Sequence, residues 1–284
     1  LALDDLQRLV GLEQNGSLHD FPPESWPALY QRPMSKTLLI TGGASGIGAA
    51  TARLAATRGY QVAINYRSRD AQAKKVVADI VAEGGKAIAL PADMAREADI
   101  VRMFQETEKA LGSVTHLVNS AGFSQRTRVD EYDAARLEKF FAINVIGLML
   151  CCREAAKRMS TRHGGKGGAI VNVSSMASTL GGRLGSSAYA ATKGAVDSFT
   201  KGFAREVAPE GIRVNSLRPG MVMSEMTEGR LKDAAFRASI EASIPMRRVG
   251  QSHEIAEAIL WLLSDEASFI TGAMLDAAGG GYII

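Results

Sequence analysis

Cysteine is scarce in this chain: two thiols in 284 residues, Cys151 and Cys152, side by side. Adjacent residues on a helix point to different faces, so the pair reads as two small buried side chains. It supplies no disulfide framework, and such usage suits a reducing cytoplasm. Histidine is sparse too, and His19, His116, His163 and His253 are too scattered for a metal site. No apolar run reaches the roughly 20 residues that a membrane-spanning helix needs, so no membrane partner is expected. The formal charge is only +3, and no basic run interleaves with aromatics. Nucleic acid is therefore not an expected partner. Residues 1–33 lack the basic start, apolar middle and small-residue cleavage site of a secretory signal.

What is present is an ordinary globular composition, 46% hydrophobic and 22% charged. Residues 1–33 stand apart: a short amphipathic stretch from Leu3 to Leu12, then Phe21-Pro22-Pro23-Glu24-Ser25-Trp26-Pro27. They read as an added or processed leader, with Met34 as a natural start, or else as an arm that packs on a neighbouring subunit. From residue 36 strands and helices alternate. Strands are expected over 37–41, 61–66, 86–90, 114–119, 168–174, 212–217 and 273–276. Helices are expected over 46–58, 71–83, 97–111, 187–208 and a long region over about 133–162. The strands are apolar runs of about five residues without alternation, the pattern of strands buried on both faces. Right-handed βαβ crossovers then predict one α/β, doubly wound Rossmann-type domain over residues 34–284, a parallel sheet with helices on both faces.

The first strand runs into Thr41-Gly42-Gly43-Ala44-Ser45-Gly46-Ile47-Gly48. Gly42 permits a tight turn, Gly46 lets a pyrophosphate approach the backbone, and Gly48 lets helix and sheet pack closely. The helix N-terminus, with Ser45 and Ile47 beside it, offers unpaired N–H groups to phosphate. The spacing is G-x-x-x-G-x-G, and its place between strand and helix makes it a dinucleotide cradle. The next strand ends Asn65-Tyr66-Arg67-Ser68, with no acid before Asp70 to accept from a ribose 2′-OH. Arg67 suits a 2′-phosphate instead, so NADP(H) is favoured over NAD(H).

Tyr189-Ala190-Ala191-Thr192-Lys193 places a phenol and an ammonium one helical turn apart. A free phenol titrates near 10, and a neighbouring cation favours the phenolate. Ser174-Ser175 ends the preceding inner strand, and Ser175 is placed to hold a carbonyl oxygen. Alternation gives the two serines opposite faces.

These motifs, in this order, resemble the short-chain dehydrogenase/reductase family, from about Ser35 to the C-terminus. The resemblance implies that Asn144, Ser175, Tyr189 and Lys193 are catalytic. It implies that Asp93, in Ala92-Asp93-Met94, contacts the adenine. Asn119-Ser120-Ala121-Gly122 matches the stretch that shapes the cofactor's ribose side, with Ser120 in place of an asparagine. Pro219-Gly220 matches the turn beside the nicotinamide, and Val222 and Ser224 match the carboxamide contacts. Ser175 lies one residue further from its tyrosine than is common in the family, which places an extra residue within 181–185. A homotetramer is also implied, with a homodimer as the lesser form.

By the same resemblance, hydride passes between the nicotinamide and a carbonyl or secondary alcohol. The candidate substrate lining is Phe123, Met176, Arg183, Met221, Met223 and Met226, with a lid over about 222–248. Methionines lean towards a small or medium, partly apolar substrate. Two enzyme readings compete, a carbonyl reductase of the 3-oxoacyl-carrier-protein type and a sugar or polyol dehydrogenase. Glu210 stands where carrier-protein reductases often carry a basic residue, which weakens the first. A cofactor-sensing protein without catalysis is a third reading.

Overall fold

Seven strands lie side by side in one parallel sheet. The computed structural model describes residues 36–281. The expected extension over residues 1–33 and the side chain of Met226 lie outside the described residues. The chain runs β1 (Thr37–Thr41), α1 (Gly46–Thr57), β2 (Gln61–Tyr66), α2 (Asp70–Ala82) and β3 (Ala87–Pro91). It continues through α3 (Glu97–Leu111), β4 (His116–Asn119), α4 (Ala134–Phe141) and α5 (Gly147–Met159). Then come β5 (Gly168–Val173), the short α6 (Ala177–Leu180), the long α7 (Ser187–Val207) and β6 (Ile212–Pro219). Last are β7 (Val222–Met223), α8 (Glu225–Leu231), α9 (Ala234–Ser243), β8 (Gly250–Gln251), α10 (Ser252–Leu263) and β9 (Met274–Ala277).

The strand order is β3-β2-β1-β4-β5-β6-β9. Leu38 of β1 pairs with Val62 on one side and His116 on the other. The order reverses between β1 and β4, and a crevice opens outside the strand ends at such a reversal. Alternation along β1 feeds two cores. Leu38 and Ile40 pack with α1, α2 and α10, while Leu39 packs with α3, α5 and α7. The α3 sequence explains its seat: Ile100, Met103, Phe104, Thr107 and Leu111 recur at helical spacing and are all buried.

The structure departs from the sequence reading in three places. The long helical region is two helices joined by a π-turn over Ala142–Ile146, which contains Asn144. A π-turn inserts one residue into the ladder and carries no hydrophobic signature. Just beyond it, α5 begins on Gly147, where a Cβ would stand 2.2 Å from the Met94 carbonyl oxygen. The short helix α6 and the two-residue strands β7 and β8, paired to each other, were also absent from the sequence reading. Elements of two to four residues are too short to show a period.

Candidate active site

The loop after β1 is shaped by contacts that leave room for glycine alone. Gly42 has φ of 68°, and a Cβ there would lie 2.8 Å from Ala121 Cα. A Cβ on Gly48 would lie 2.3 Å from the Gly42 carbonyl oxygen, so α1 packs directly on the turn. Gly46 differs. Its φ is 53°, and a Cβ would meet only Ser224 at 3.4 Å, so its free face looks into open space. Two buried side chains brace the cradle from below. Asn65 accepts from Gly42 N at 3.2 Å and donates to Ala92 O at 2.9 Å, and Thr41 Oγ1 accepts from Ser120 N and Ala121 N.

A cavity of about 470 Å³ runs from this turn across the strand ends. One end is lined by Gly42, Ser45, Gly46, Ile47, Tyr66, Arg67 and Ser68, with Asp93 and Met94 beside them. The middle holds Ala121, Gly122 and Phe123. The rest of the lining is Ser175, Tyr189, Lys193, Pro219, Gly220, Val222 and Ser224, the last beside Gly46. A larger and shallower groove, about 850 Å³, crosses the outside of α1 and contains none of the four expected catalytic side chains.

Tyr189 and Lys193 project from the same face of α7, with the ammonium 5.7 Å from the ring centroid. Lys193 is 4% exposed and donates to the Val173 carbonyl at 2.7 Å. Burial lowers its pKa to about 8, against an opposing pull from Asp197. Ser175 hydrogen-bonds the Tyr189 hydroxyl, while Ser174 is buried and donates to the Lys193 carbonyl. The two serines thus do face opposite ways. Burial pushes the Tyr189 phenol up, and the Ser175 hydrogen bond only partly offsets this. The lowering expected from Lys193 is therefore not realised here: desolvation is the larger effect, and the ammonium is turned towards Val173.

Asn144 lies behind the cavity wall and does not line it. Its Oδ1 accepts from Phe123 N at 2.7 Å, and its Nδ2 donates to Phe123 O at 2.8 Å and Thr192 Oγ1 at 3.1 Å. It clamps the Gly122–Phe123 backbone beside Lys193. A Cβ on Gly122 would be 3.9 Å from both Asn144 Oδ1 and Lys193 Nζ. Asn119 also stands apart from the cavity. It is 2% exposed and donates to Asn172 and to Cys152 in a buried network under the sheet end.

The expected substrate lining is only partly assembled. Phe123 lines the cavity. Met176 is buried, with its backbone N–H donating to Pro219 O. Met221 and Met223 pack against the small cluster of Leu231, Ile240, Ile244 and Val249. Flexible side chains can serve either a core or a pocket, and spacing does not separate the two. Arg183 is exposed in the middle of the 181–185 loop, its guanidinium 5.4 Å from the Phe236 ring.

The sequence reading passed over Arg69 and Thr227, both of which line the cavity. Arg69 donates to Ser45 Oγ at 2.9 Å and pairs with Glu225 at the start of α8. Thr227 closes a capping box with Ser224 and donates to Val222 O at 2.6 Å. Ser224 is a legible N-cap residue, but Thr227 is not the Glu or Gln that the usual box signature carries. Arg69 had only its place in Arg67-Ser68-Arg69 to show it. Among the described residues, no three His, Cys, Asp or Glu side chains converge to hold a metal, and no helix is long and apolar enough to cross a membrane.

Known proteins share this arrangement. Residues 42–282 match the family model described as enoyl-(acyl carrier protein) reductase. The chain is 48% identical over 245 residues to the uncharacterized oxidoreductase YgfF of Escherichia coli (strain K12), covering 85% of this chain and 98% of that protein. It is 39% identical over 247 residues to a 3-oxoacyl-[acyl-carrier-protein] reductase of Mus musculus, covering 87% and 98%. A short chain dehydrogenase from Burkholderia cenocepacia J2315 in complex with NADP superposes with a TM-score of 0.80 at 31% identity, covering 87% and 98%. The free face of Gly46 and the lined cavity fit such a dinucleotide. With the doubly wound sheet, the glycine turn and the Tyr189–Lys193 pair in place, the chain belongs to the short-chain dehydrogenase/reductase family and is an NAD(P)-type oxidoreductase.

Proposed function

We propose that this enzyme transfers a hydride between NADP(H) and a carbonyl or secondary alcohol of a small or medium substrate. The observation that carries the reading is the convergence of Ser175, Tyr189 and Lys193 on a cavity that the glycine cradle also lines. When bound, the nicotinamide supplies or accepts the hydride. Ser175 holds the substrate oxygen. Tyr189, kept protonated by burial, donates a proton to that oxygen in reduction and takes it back in oxidation. Lys193 holds the ribose and places positive charge beneath the site. Asn144 acts as a positioning residue through the Gly122–Phe123 backbone.

Arg67 supports NADP(H). It is exposed at the cavity end and has no carboxylate partner among the described residues. The nearest downstream acid, Asp70, accepts from the Tyr66 hydroxyl at 2.6 Å and pairs with Lys74. It is thus engaged away from a ribose. Ser45 and Ser68 stand with Arg67 as a polar pocket for a 2′-phosphate, beside the Arg69–Glu225 pair.

A general or 3-oxoacyl-type carbonyl reductase is favoured over a sugar or polyol dehydrogenase by the 3-oxoacyl relative of Mus musculus. Glu210 is held by the Ser160 hydroxyl, so this helix end presents an acid where a carrier protein's own acids would meet it. Two buried, unpaired thiols suit a reducing cytoplasm. A homotetramer fits the exposed apolar side chains Phe141 and Ile146 on one side and Trp261 and Phe269 on another. The test is oxidation of NADPH and NADH, side by side, against β-ketoesters, diketones, quinones and keto-sugars. Turnover preferring NADPH is expected. A preference for NADH would overturn the role of Arg67, and binding of cofactor without any turnover would favour a sensor.

A further inference from the structure

Three arginines from three separate segments come together beside the cavity, though none of them lines it. Arg126 follows cavity-lining Ser124 by two residues. Arg183 lies in the loop between Ser175 and Tyr189, and Arg230 lies on α8, three residues after cavity-lining Thr227. The first two loops are tied together: Thr127 N donates to Gly185 O at 2.9 Å, and a Cβ on Gly185 would lie 3.5 Å from Arg126 Cβ. The second and third meet on one ring. The guanidinium of Arg183 lies 5.4 Å, and that of Arg230 4.5 Å, from the Phe236 centroid.

None of the three has a carboxylate partner among the described residues. Five acids nearby in sequence are engaged elsewhere: Asp130 with Arg128, Asp133 with Arg136, Glu225 with Arg69, Glu228 with Lys232, and Asp233 as the cap of α9. Desolvation, and then the charge of Arg183, hold Arg126 below the usual guanidinium range. Desolvation, then Arg126 and Arg183, do the same to Arg230. Like charges brought together without counter-charge are unfavourable until an anion arrives. Planar guanidinium forks, two of them set against an aromatic ring, suit a carboxylate or phosphate.

We propose that Arg126, Arg183 and Arg230 form a receptor for an anionic group on the substrate, a carboxylate or a phosphate remote from the reacting carbon. The proposal rests on the hydride-transfer reading and deepens it: the preferred substrates are keto acids or phosphate-bearing ketones, not neutral ketones.

The test compares kcat/KM with NADPH for two substrate pairs: acetoacetate against methyl acetoacetate, and S-acetoacetyl-pantetheine with against without its 4′-phosphate. Wild type and R126Q/R183Q/R230Q are measured together. The wild type should prefer the anionic member of one pair, and the variant should lose at least about tenfold of that preference. The pair that shows it identifies the anion as the substrate's own carboxylate or a carried phosphate. Equal preference in both proteins overturns the proposal. Calorimetric titration of malonate and inorganic phosphate into NADP⁺-saturated protein gives a readout without turnover. At least one should bind about tenfold more weakly to the variant, and unchanged binding of both overturns the receptor. Weakened binding with no turnover of either pair would sink the hydride-transfer reading and leave the receptor standing. Arg183→Gln and Arg230→Gln alone carry the same comparisons if the triple variant lacks a cooperative melt.

Discussion

Lys193 is an ammonium placed where water barely reaches, and its pKa of about 8 follows from that burial. Below that pH the residue is charged, and above it the charge is lost. Tyr189, pushed up by burial, remains a protonated acid across the same range. Carbonyl reduction should therefore be flat through neutral pH and fall as pH rises past about 8, as a kcat/KM profile would show. A profile flat to pH 10 would contradict the role given to Lys193. Tyr189→Phe removes the proton donor and keeps the ring. It should lower kcat by about 10²–10⁴ while NADPH still binds by fluorescence titration. Arg67→Ala should raise KM for NADPH about tenfold or more and leave KM for NADH nearly unchanged.

The turn between β1 and α1 is the element on which the cofactor end depends. Gly48 has no space for a side chain: its Cβ would meet backbone, the Gly42 carbonyl, which cannot swing aside. Gly48→Ala should cost about 1–3 kcal/mol by overpacking, read as a lower melting temperature, and should weaken NADPH binding by shifting the turn. Gly46→Ala is the contrast. Little protein stands before its Cβ, so the added methyl would occupy the cradle itself. Its melting temperature should fall by less than that of Gly48→Ala, since its positive φ is the main strain on the protein. The π-turn belongs to the same scale. It sets Asn144 against the Phe123 backbone and joins the α4–α5 layer to the cavity wall.

At the scale of the whole molecule, four of the eight exposed large apolar side chains among the described residues fall into two groups by position. Trp261 on α10 is 41% exposed, and Phe269, just before β9, is fully exposed. Ile146, in the π-turn, is 53% exposed. Two such patches fit the two faces that a tetramer with perpendicular two-fold axes requires. Light scattering of Phe269→Glu with Trp261→Glu should show a smaller particle than the parent. A parent that is monomeric would remove the tetramer from consideration.

The sequence by itself determined the layered fold, the cradle and the proton-transfer pair, because each rests on short-range rules. Apolar runs without alternation dictate strands covered on both faces, as β1 shows with Leu38, Leu39 and Ile40 all buried. Four residues along one helix put Lys193 beside Tyr189, and strand alternation separates Ser174 from Ser175. Only the tertiary structure decided which side chains reach the cavity. Asn119 and Met176 are turned into the core, and Asn144 stands behind the wall, although each lies next to residues that line it. Arg69 and the gathering of Arg126, Arg183 and Arg230 are likewise tertiary facts. They join segments up to about 150 residues apart, and no local rule of propensity or period records where such loops meet.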